Sequence, residues 1–392
     1  MRRYLLSAVA IACCAGPLQA KDIKIGFVSC KTGALEAYAK QTQAGLMLGL
    51  EYATKGTMQV NGNKLVVIEK DDQCKPDIGK AQLTALYQDD KVDLAVGPTA
   101  SGVALAMLPV ALEFKKVLVV EPAVADVITG AAWNRYIFKT SRNSSMDAIS
   151  LATTVDKDGT SVALFNPDTA FGKDFAKAIK GALKHAKIAH EEYVAPSTTD
   201  FTANAQRMID ALKDKPGRKV IIFNWAGASD PFGKLIDMKL KERYGIELAT
   251  GGNILPMMAS YKKAPGMEGA LYYYYGIPKN PVNDWLISEH YKRFKSPPDF
   301  FTAGGMSAAI AVVEALKKTG GNTDSEKLIA TMEGMSFETP KGKMTFRKED
   351  HQALQSQYHY RIKNDPAFPW GVPELVHEIK PEEMNIPINN KR

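Results

Sequence analysis

Hydrophobic positions fall along this chain in three rhythms, and each predicts a different element. Tyr4 to Ala15 is an almost unbroken apolar run behind the basic head Met1-Arg2-Arg3; Gly16 and Pro17 break it, and Leu18-Gln19-Ala20 ends it on a small residue. That layout predicts a secretory signal peptide over residues 1–20, cleaved near Ala20. The run is shorter than the roughly 20 residues a bilayer core requires, which argues against a membrane anchor. Ile23-Lys24-Ile25-Gly26-Phe27-Val28 then alternates with period two, as a strand does. Beyond it, apolar residues recur at helical spacing over Tyr38–Tyr52, Pro76–Tyr87 and Val103–Phe114.

The first half reads as strands Ile23–Ser29, Lys64–Glu69, Asp93–Val96 and Val117–Glu121 interleaved with those helices. Near Ile137-Phe138-Lys139-Thr140 the rhythm restarts, with strands Ser161–Phe165 and Val220–Phe223 and helices Gly172–His185 and Phe232–Arg243. Such alternation predicts parallel sheets covered by helices, repeated as two similar α/β lobes. The length of 392 residues also exceeds what one core usually supports. Three crossings between lobes are expected: near Phe138–Ser141, along Tyr272-Tyr273-Tyr274-Tyr275 to Gly276 and Pro278, and near Thr339–Lys343. They divide the chain into one lobe of residues 21–140 with 276–341 and another of 141–275 with 342–392. Helix Gly304–Lys318 should return to the first lobe, and Met344–Phe346 with Gln357–Ile362 should form a late strand pair. A tyrosine strand with one buried face accounts for most of the tyrosine run; Tyr275, beside the hinge, is kept as a ligand contact.

Composition narrows the function. After Ala20 no apolar run looks long enough to span a membrane, so a soluble exported protein is expected. Loss of Arg2 and Arg3 with the leader lowers the formal net charge from +7 to +5, with both signs mixed throughout. No basic block interleaved with aromatics supports nucleic-acid binding. Of four cysteines, Cys30 and Cys74 remain after the leader. An even pair in an oxidising compartment predicts one disulfide, and neighbouring parallel strand ends would bring the two together.

Catalytic and metal motifs are not apparent: no phosphate loop, nucleophile elbow or metal-ligand histidine spacing is present. Asp71-Asp72 resembles a carboxylate pair, but adjacent residues on an extended segment diverge, and one is expected to cap the next helix. Ligands of open α/β sheets sit beyond the carboxyl ends of strands, at helix N-termini. Gly97-Pro98-Thr99-Ala100-Ser101-Gly102 follows the third strand, with free amides and two hydroxyls (Thr99, Ser101) suited to a carboxylate. Pro122-Ala123-Val124-Ala125 follows the fourth, where small side chains admit a ligand to the backbone.

These residues carry a family resemblance over nearly the whole mature chain. The opening Asp22-Ile23-Lys24-Ile25 through Thr32-Gly33 to Tyr38 resembles the type I periplasmic binding proteins of the leucine/isoleucine/valine-binding family, the solute receptors of ABC importers. So do Asp71-Asp72-Gln73-Cys74-Lys75-Pro76, Val96-Gly97, the stretch from Arg142 onward, Phe171-Gly172, Met267-Glu268-Gly269 and Ala315-Leu316-Lys317-Lys318-Thr319-Gly320. The resemblance implies two Rossmann-like lobes on a three-segment hinge that close on a solute, no cofactor, a monomer in the periplasm, and permease subunits of an ABC importer as partners. It implies that Ser101 binds a ligand carboxylate, that Ala123 offers a backbone contact, and that Tyr38, Phe171 and Phe301 line the side-chain pocket. Two departures alter the expected ligand. Ala125 stands where a threonine helps hold an amino-acid head group, and Gly252-Asn253 stands where a glutamate would pair with its ammonium. A buried ammonium without its carboxylate is costly. Ala100 lies close to the family's usual partner for Cys74, which leaves Cys30 for the bridge.

The expected ligand is therefore a small aromatic or other apolar carboxylic acid. Thr339-Pro340-Lys341-Gly342-Lys343-Met344 and Glu349-Asp350-His351-Gln352-Ala353-Leu354-Gln355 also resemble the branch of this family that binds benzoate-like and phenylpropanoid acids, although as a hinge and scaffold element. The expected contacts are Tyr38, Thr99, Ser101, Ala123, Ala125, Phe171, Asn253, Tyr275 and Phe301. Lys31 or Arg142 would supply positive charge, and Glu121 would oppose it if it faced the cleft. Rival readings are an amino-acid receptor, an exported α/β enzyme and a sensor subunit.

Overall fold

In the computed structural model, which describes residues 21–390 apart from 228 and 230, the alternating segment Ile23–Ser29 forms the strand expected of it. The expected signal peptide over 1–20 lies outside the described residues. Ile23–Ser29 pairs in parallel with Asn63–Asp71 on one side and Leu94–Val96 on the other. The first sheet runs Gln59–Val60, Asn63–Asp71, Ile23–Ser29, Leu94–Val96, Leu118–Val120, Ile137–Lys139. Successive connections leave Ile23–Ser29 in opposite directions, so a crevice opens at its carboxyl end.

The second sheet has seven strands, in the order Val372–Ile379, Gln357–Lys363, Glu268–Leu271, Ile246–Thr250, Lys219–Phe223, Ser161–Pro167, Lys187–Val194. The last five are parallel and the first two antiparallel. Two parallel-sheet lobes of mixed α/β character are thus present, with Asn224-Trp225 and Gly251-Asn253 at carboxyl ends of the second sheet.

Several expected elements change. The helix over Phe232–Arg243 divides into Pro231–Asp237 and Leu240–Tyr244, because Lys239 takes a left-handed conformation at φ +52°. The helix expected over Gly172–His185 is Ala170–Ala182, and its cap Leu183 is extended. Met344–Phe346 and Gln357–Ile362 are not a pair. Gly342–Phe346 pairs with Ser336–Thr339 and Ala353–Leu354 in a small third sheet, whereas Gln357–Lys363 joins the second sheet. Phe346 packs 5.2 Å from Phe138, and Lys139 bridges to Gln352, so residues 342–354 sit against the first sheet and the chain leaves it after Leu354.

Tyr272–Tyr275 is not a strand: the strand before it, Glu268–Leu271, ends at Leu271, and Tyr272, Tyr273 and Tyr274 are buried in succession beyond it. Each of those three finds its own partner: Tyr272 donates to the Phe300 carbonyl at 2.5 Å, Tyr273 donates to Asn283 at 2.8 Å, and Tyr274 accepts from Trp370 Nε1 at 3.2 Å. The crossing is therefore pinned rather than slack.

Helix Phe300–Lys318, longer than the expected Gly304–Lys318, has the length and apolar composition to cross a membrane, contrary to the expectation that no such segment follows Ala20. It is instead 89 % buried within the protein. Its partner is helix Glu36–Ala53, and their backbones meet at glycines. A Cβ on Gly45 would lie 1.9 Å from the Thr302 carbonyl oxygen, and one on Gly305 would lie 2.1 Å from that of Thr42. This close crossing brings Tyr38 and Phe301 within 4.7 Å, ring to ring.

Cys30 and Cys74 form the expected disulfide, following strands that register Ser29 opposite Asp71. Neither Asp71 nor Asp72 caps the helix Pro76–Gln88, which has no side-chain cap. Asp71 instead accepts from the Thr32 hydroxyl at 2.6 Å and the Gln73 amide at 2.9 Å, while Asp72 accepts from the Cys74 amide at 2.7 Å. The two acids brace the loops on either side of the bridge.

Candidate ligand-binding site

A cavity of about 330 Å³ opens between the carboxyl ends of the two sheets. On the first lobe its wall is built from the strand-to-helix turn after Leu94–Val96. Gly97 has φ +127°, and a Cβ there would lie 2.0 Å from the Val28 carbonyl oxygen, so only glycine lets the turn pass so close to the first strand. Thr99 accepts from the Cys30 amide at 3.3 Å, which ties this turn to the disulfide loop. Ser101 opens helix Ser101–Phe114 and lines the cavity.

The Ser101 hydroxyl is committed in an informative way. Its oxygen accepts from the amides of Val124 at 3.3 Å and Ala125 at 3.2 Å. A hydroxyl has two lone pairs and one proton, so with both lone pairs engaged the O–H is left to donate. The first amides of the helix, at Gly102 and Val103 on the cavity wall, have no intrahelical acceptor and carry the positive end of the helix dipole. Together they turn hydrogen-bond donors and positive potential, the features that suit an anion, toward one wall of the cavity.

Aromatic rings line the cavity beside it. Tyr38 and Phe301 face it as a pair, Phe300 lies 5.5 Å from Phe301, and Phe171 contributes from the start of helix Ala170–Ala182. Burial pushes the Tyr38 phenol up to about 12, so it stays protonated and donates to Asn253 Oδ1 at 3.1 Å. The same Asn253 oxygen accepts from the Ile254 amide at 2.8 Å. Tyr38 and Asn253 thus meet across the cleft.

Arg142 is the cavity's cation. Its Nε donates to both carboxylate oxygens of Asp147 at 3.0 Å, and its guanidinium lies 4.4 Å from the Tyr272 ring centre and 5.4 Å from that of Phe300. Burial raises the Asp147 carboxyl, and Arg142 opposes that shift. The terminal nitrogens of Arg142 make no hydrogen bond among the described residues. Lys31, the other candidate, lies at the surface with Glu69, 2.7 Å away. Glu121 is buried outside the cavity lining, accepts from Thr140 at 2.9 Å, and is raised by burial, so it does not oppose an anion from the wall.

Of the nine expected contacts, Tyr38, Thr99, Ser101, Ala123, Phe171, Asn253 and Phe301 line one cavity. Ala123 does so without a free backbone group: its amide donates to Pro98 O at 3.2 Å, and its carbonyl accepts from Ser141 at 2.6 Å. Ala125 lies outside the lining, its amide spent on Ser101 and its carbonyl accepting from Lys139 at 3.1 Å. Tyr275 is also outside, packed 4.7 Å from Tyr274. Val124, Asp147, Asn224, Trp225 and Phe300 were missed. Asn224 and Trp225 follow strand Lys219–Phe223, so the carboxyl-end rule applied to the second sheet would have found them. The one close grouping of metal-ligand residue types among the described residues is Cys30, Asp72 and Cys74, whose sulfurs are already bonded to each other.

Two α/β lobes with a cavity between the carboxyl ends of their sheets have a counterpart among known proteins: the profile of the periplasmic binding protein family matches residues 22–367. The chain belongs to that family. A Leu/Ile/Val-binding protein of Rhizobium johnstonii is 24 % identical over 365 residues, covering 91 % of this chain and 96 % of the relative. A crystal structure described as an ABC-type branched-chain amino acid transporter from Rhodopseudomonas palustris is 64 % identical, with TM-score 0.83, covering 95 % of this chain and 100 % of its own. The solute-binding protein of an ABC transporter from Rhodopseudomonas palustris BisB5, in complex with 3,4-dihydroxybenzoic acid, is 27 % identical with TM-score 0.80, covering 92 % of this chain and 97 % of its own. This periplasmic binding protein is accordingly the solute-binding component of an ABC transporter rather than an enzyme, and that role implies a small solute and permease subunits as partners.

Proposed function

We propose that this periplasmic binding protein captures an aromatic or similarly apolar carboxylic acid and presents it to an ABC permease. The observation that carries the reading is an imbalance in the cavity: hydrogen-bond donors are free and carboxylates are not. Ser101, the helix amides beside it and the Arg142 terminal nitrogens can all receive an acid group. The carboxylate among the described lining residues, Asp147, has both oxygens on Arg142, and Asn253 has its oxygen on Tyr38 and Ile254. An α-ammonium group would enter without a counter-charge, a costly arrangement in a buried site. Tyr38, Phe171, Phe300 and Phe301 supply flat apolar surface for a ring. The benzoate-type complex of the 27 % identical relative is consistent with this.

A second reading has its own support: the 64 % identical structure carries a branched-chain amino acid name. Titration calorimetry with benzoate and with leucine separates the two. The proposal expects micromolar or tighter benzoate binding and at least tenfold weaker leucine binding; leucine binding more tightly than benzoate would overturn it.

A further inference from the structure

Two buried donors on the second lobe's side of the cavity have nothing to bond. Asn224 and Trp225 are 7 % and 6 % exposed and both line the cavity, yet Asn224 Nδ2 and Trp225 Nε1 have no hydrogen-bond partner among the described residues. Buried donors are nearly always satisfied, so an orphaned pair in the wall of one cavity asks for an acceptor from that side. The indole cannot easily turn away to find one. Phe165 stacks on it at 5.8 Å, and Phe201 meets it edge-on at 5.4 Å. Asn224 is held by its amide, which donates to the Phe165 carbonyl at 3.0 Å.

These donors stand at the carboxyl end of Lys219–Phe223, on the opposite lobe from Ser101. A carboxylate seated at Ser101 leaves them to the far end of the molecule. An indole N–H only donates, so what it meets must carry a lone pair. We propose that Asn224 and Trp225 form a second polar subsite that reads an oxygen remote from the ligand's carboxylate, and that the solute class is ring-hydroxylated aromatic acids rather than unsubstituted ones. This rests on the carboxylic-acid reading above and extends it from a charge preference to a length and substitution preference.

The test is titration calorimetry of the whole mature protein with benzoate and with 4-hydroxybenzoate, repeated on Trp225→Phe, which keeps a ring and removes the N–H. Asn224→Ala serves as the second variant should Trp225→Phe fail to fold, as judged by its melting transition. The unmodified protein should favour 4-hydroxybenzoate at least tenfold, and either variant should cut that ratio to below about twofold. Equal affinities in the unmodified protein would overturn the subsite while leaving the carboxylic-acid reading intact. So would an unchanged ratio in the variants. Failure of both acids to bind would overturn the carboxylic-acid reading itself and the subsite with it.

Discussion

The two walls of the cleft are built on opposite principles. On the first lobe, nearly every polar group near the cavity is already spoken for: Thr99 by Cys30, Ala123 by Pro98 and Ser141, and the Ser101 oxygen by Val124 and Ala125. What remains is one hydroxyl proton and the helix amides, aimed by a network that the Cys30–Cys74 bridge and the Gly97 turn hold in place. On the second lobe, Asn224 and Trp225 keep free donors on a frame of aromatic rings. A saturated network fixes the position of one generic anchor, whereas unpaired donors discriminate between ligands, because an unsatisfied buried donor is penalised whenever the wrong ligand fills the space. On the proposed reading, anchoring falls to the first lobe and selection to the second.

The sharpest way to break the first half of that contrast is Arg142→Leu, at the crossing between the lobes. It leaves Asp147 buried without its hydrogen-bonded cation, a loss of about 3–5 kcal/mol by analogy with other broken buried pairs. Urea denaturation should show that drop, and calorimetry should show no acid binding. An unchanged midpoint would mean that Asp147 is not dependent on Arg142.

The disulfide comes next. Its cysteines are 44 residues apart in sequence. Replacing both with serine should lower stability by about 2–4 kcal/mol and weaken acid binding as well, because the Thr99 turn hangs from Cys30. If stability falls but affinity holds, the bridge does not brace the anchor.

A similar magnitude, with a pH signature, is expected at Asp299. This buried carboxylate joins the two lobes, accepting from Gln41 Nε2 and from the Leu255 amide, each at 2.8 Å. Burial pushes it up to about 6 against the opposing hydrogen bonds. The folded state therefore holds its proton more tightly than the unfolded chain, and the stability linked to it is fully present only below the ordinary carboxyl value of 3.8 and is lost as pH rises through about 6. The span is about 3 kcal/mol from a shift of roughly two units. Relative to the unmodified protein, Asp299→Asn should remove that slope from denaturation midpoints taken between pH 4 and 7; parallel profiles would contradict it.

The smallest effect expected is on Ser101→Ala, which removes one hydrogen bond to a charged group. Acid affinity should fall about tenfold or somewhat more, with little change in thermal midpoint if the Val124 and Ala125 amides find water. Undiminished affinity would remove Ser101 from the anchor.

Much of this architecture was legible in the chain. The Ile23–Val28 alternation, the helical spacing after it and the hydroxyl-bearing turn at 97–102 placed the first lobe and its wall of the cavity, because local pattern and strand-end rule agree there. Legibility failed where the deciding contact is remote in sequence. Ala125 seemed suitable because its side chain is small, but what matters is its amide, and that points at Ser101. Tyr275 adjoins the hinge in sequence, yet its neighbour in space is Tyr274 rather than the cleft. Residues 342–354 read as part of the second lobe, yet Phe346 packs against Phe138 of the first sheet. Trp225 looks in sequence like any aromatic following a strand; only the shape of the assembled cavity reveals that its N–H has no partner.

The most direct test of this division of labour is a crystal structure of the protein with 4-hydroxybenzoate. The carboxylate should lie within hydrogen-bond distance of Ser101 Oγ and the amides of Gly102 and Val103, with the ring beside Tyr38 and Phe301 and the hydroxyl at Trp225 Nε1. A carboxylate resting on Trp225 and Asn224, with Ser101 facing only water, would contradict the account.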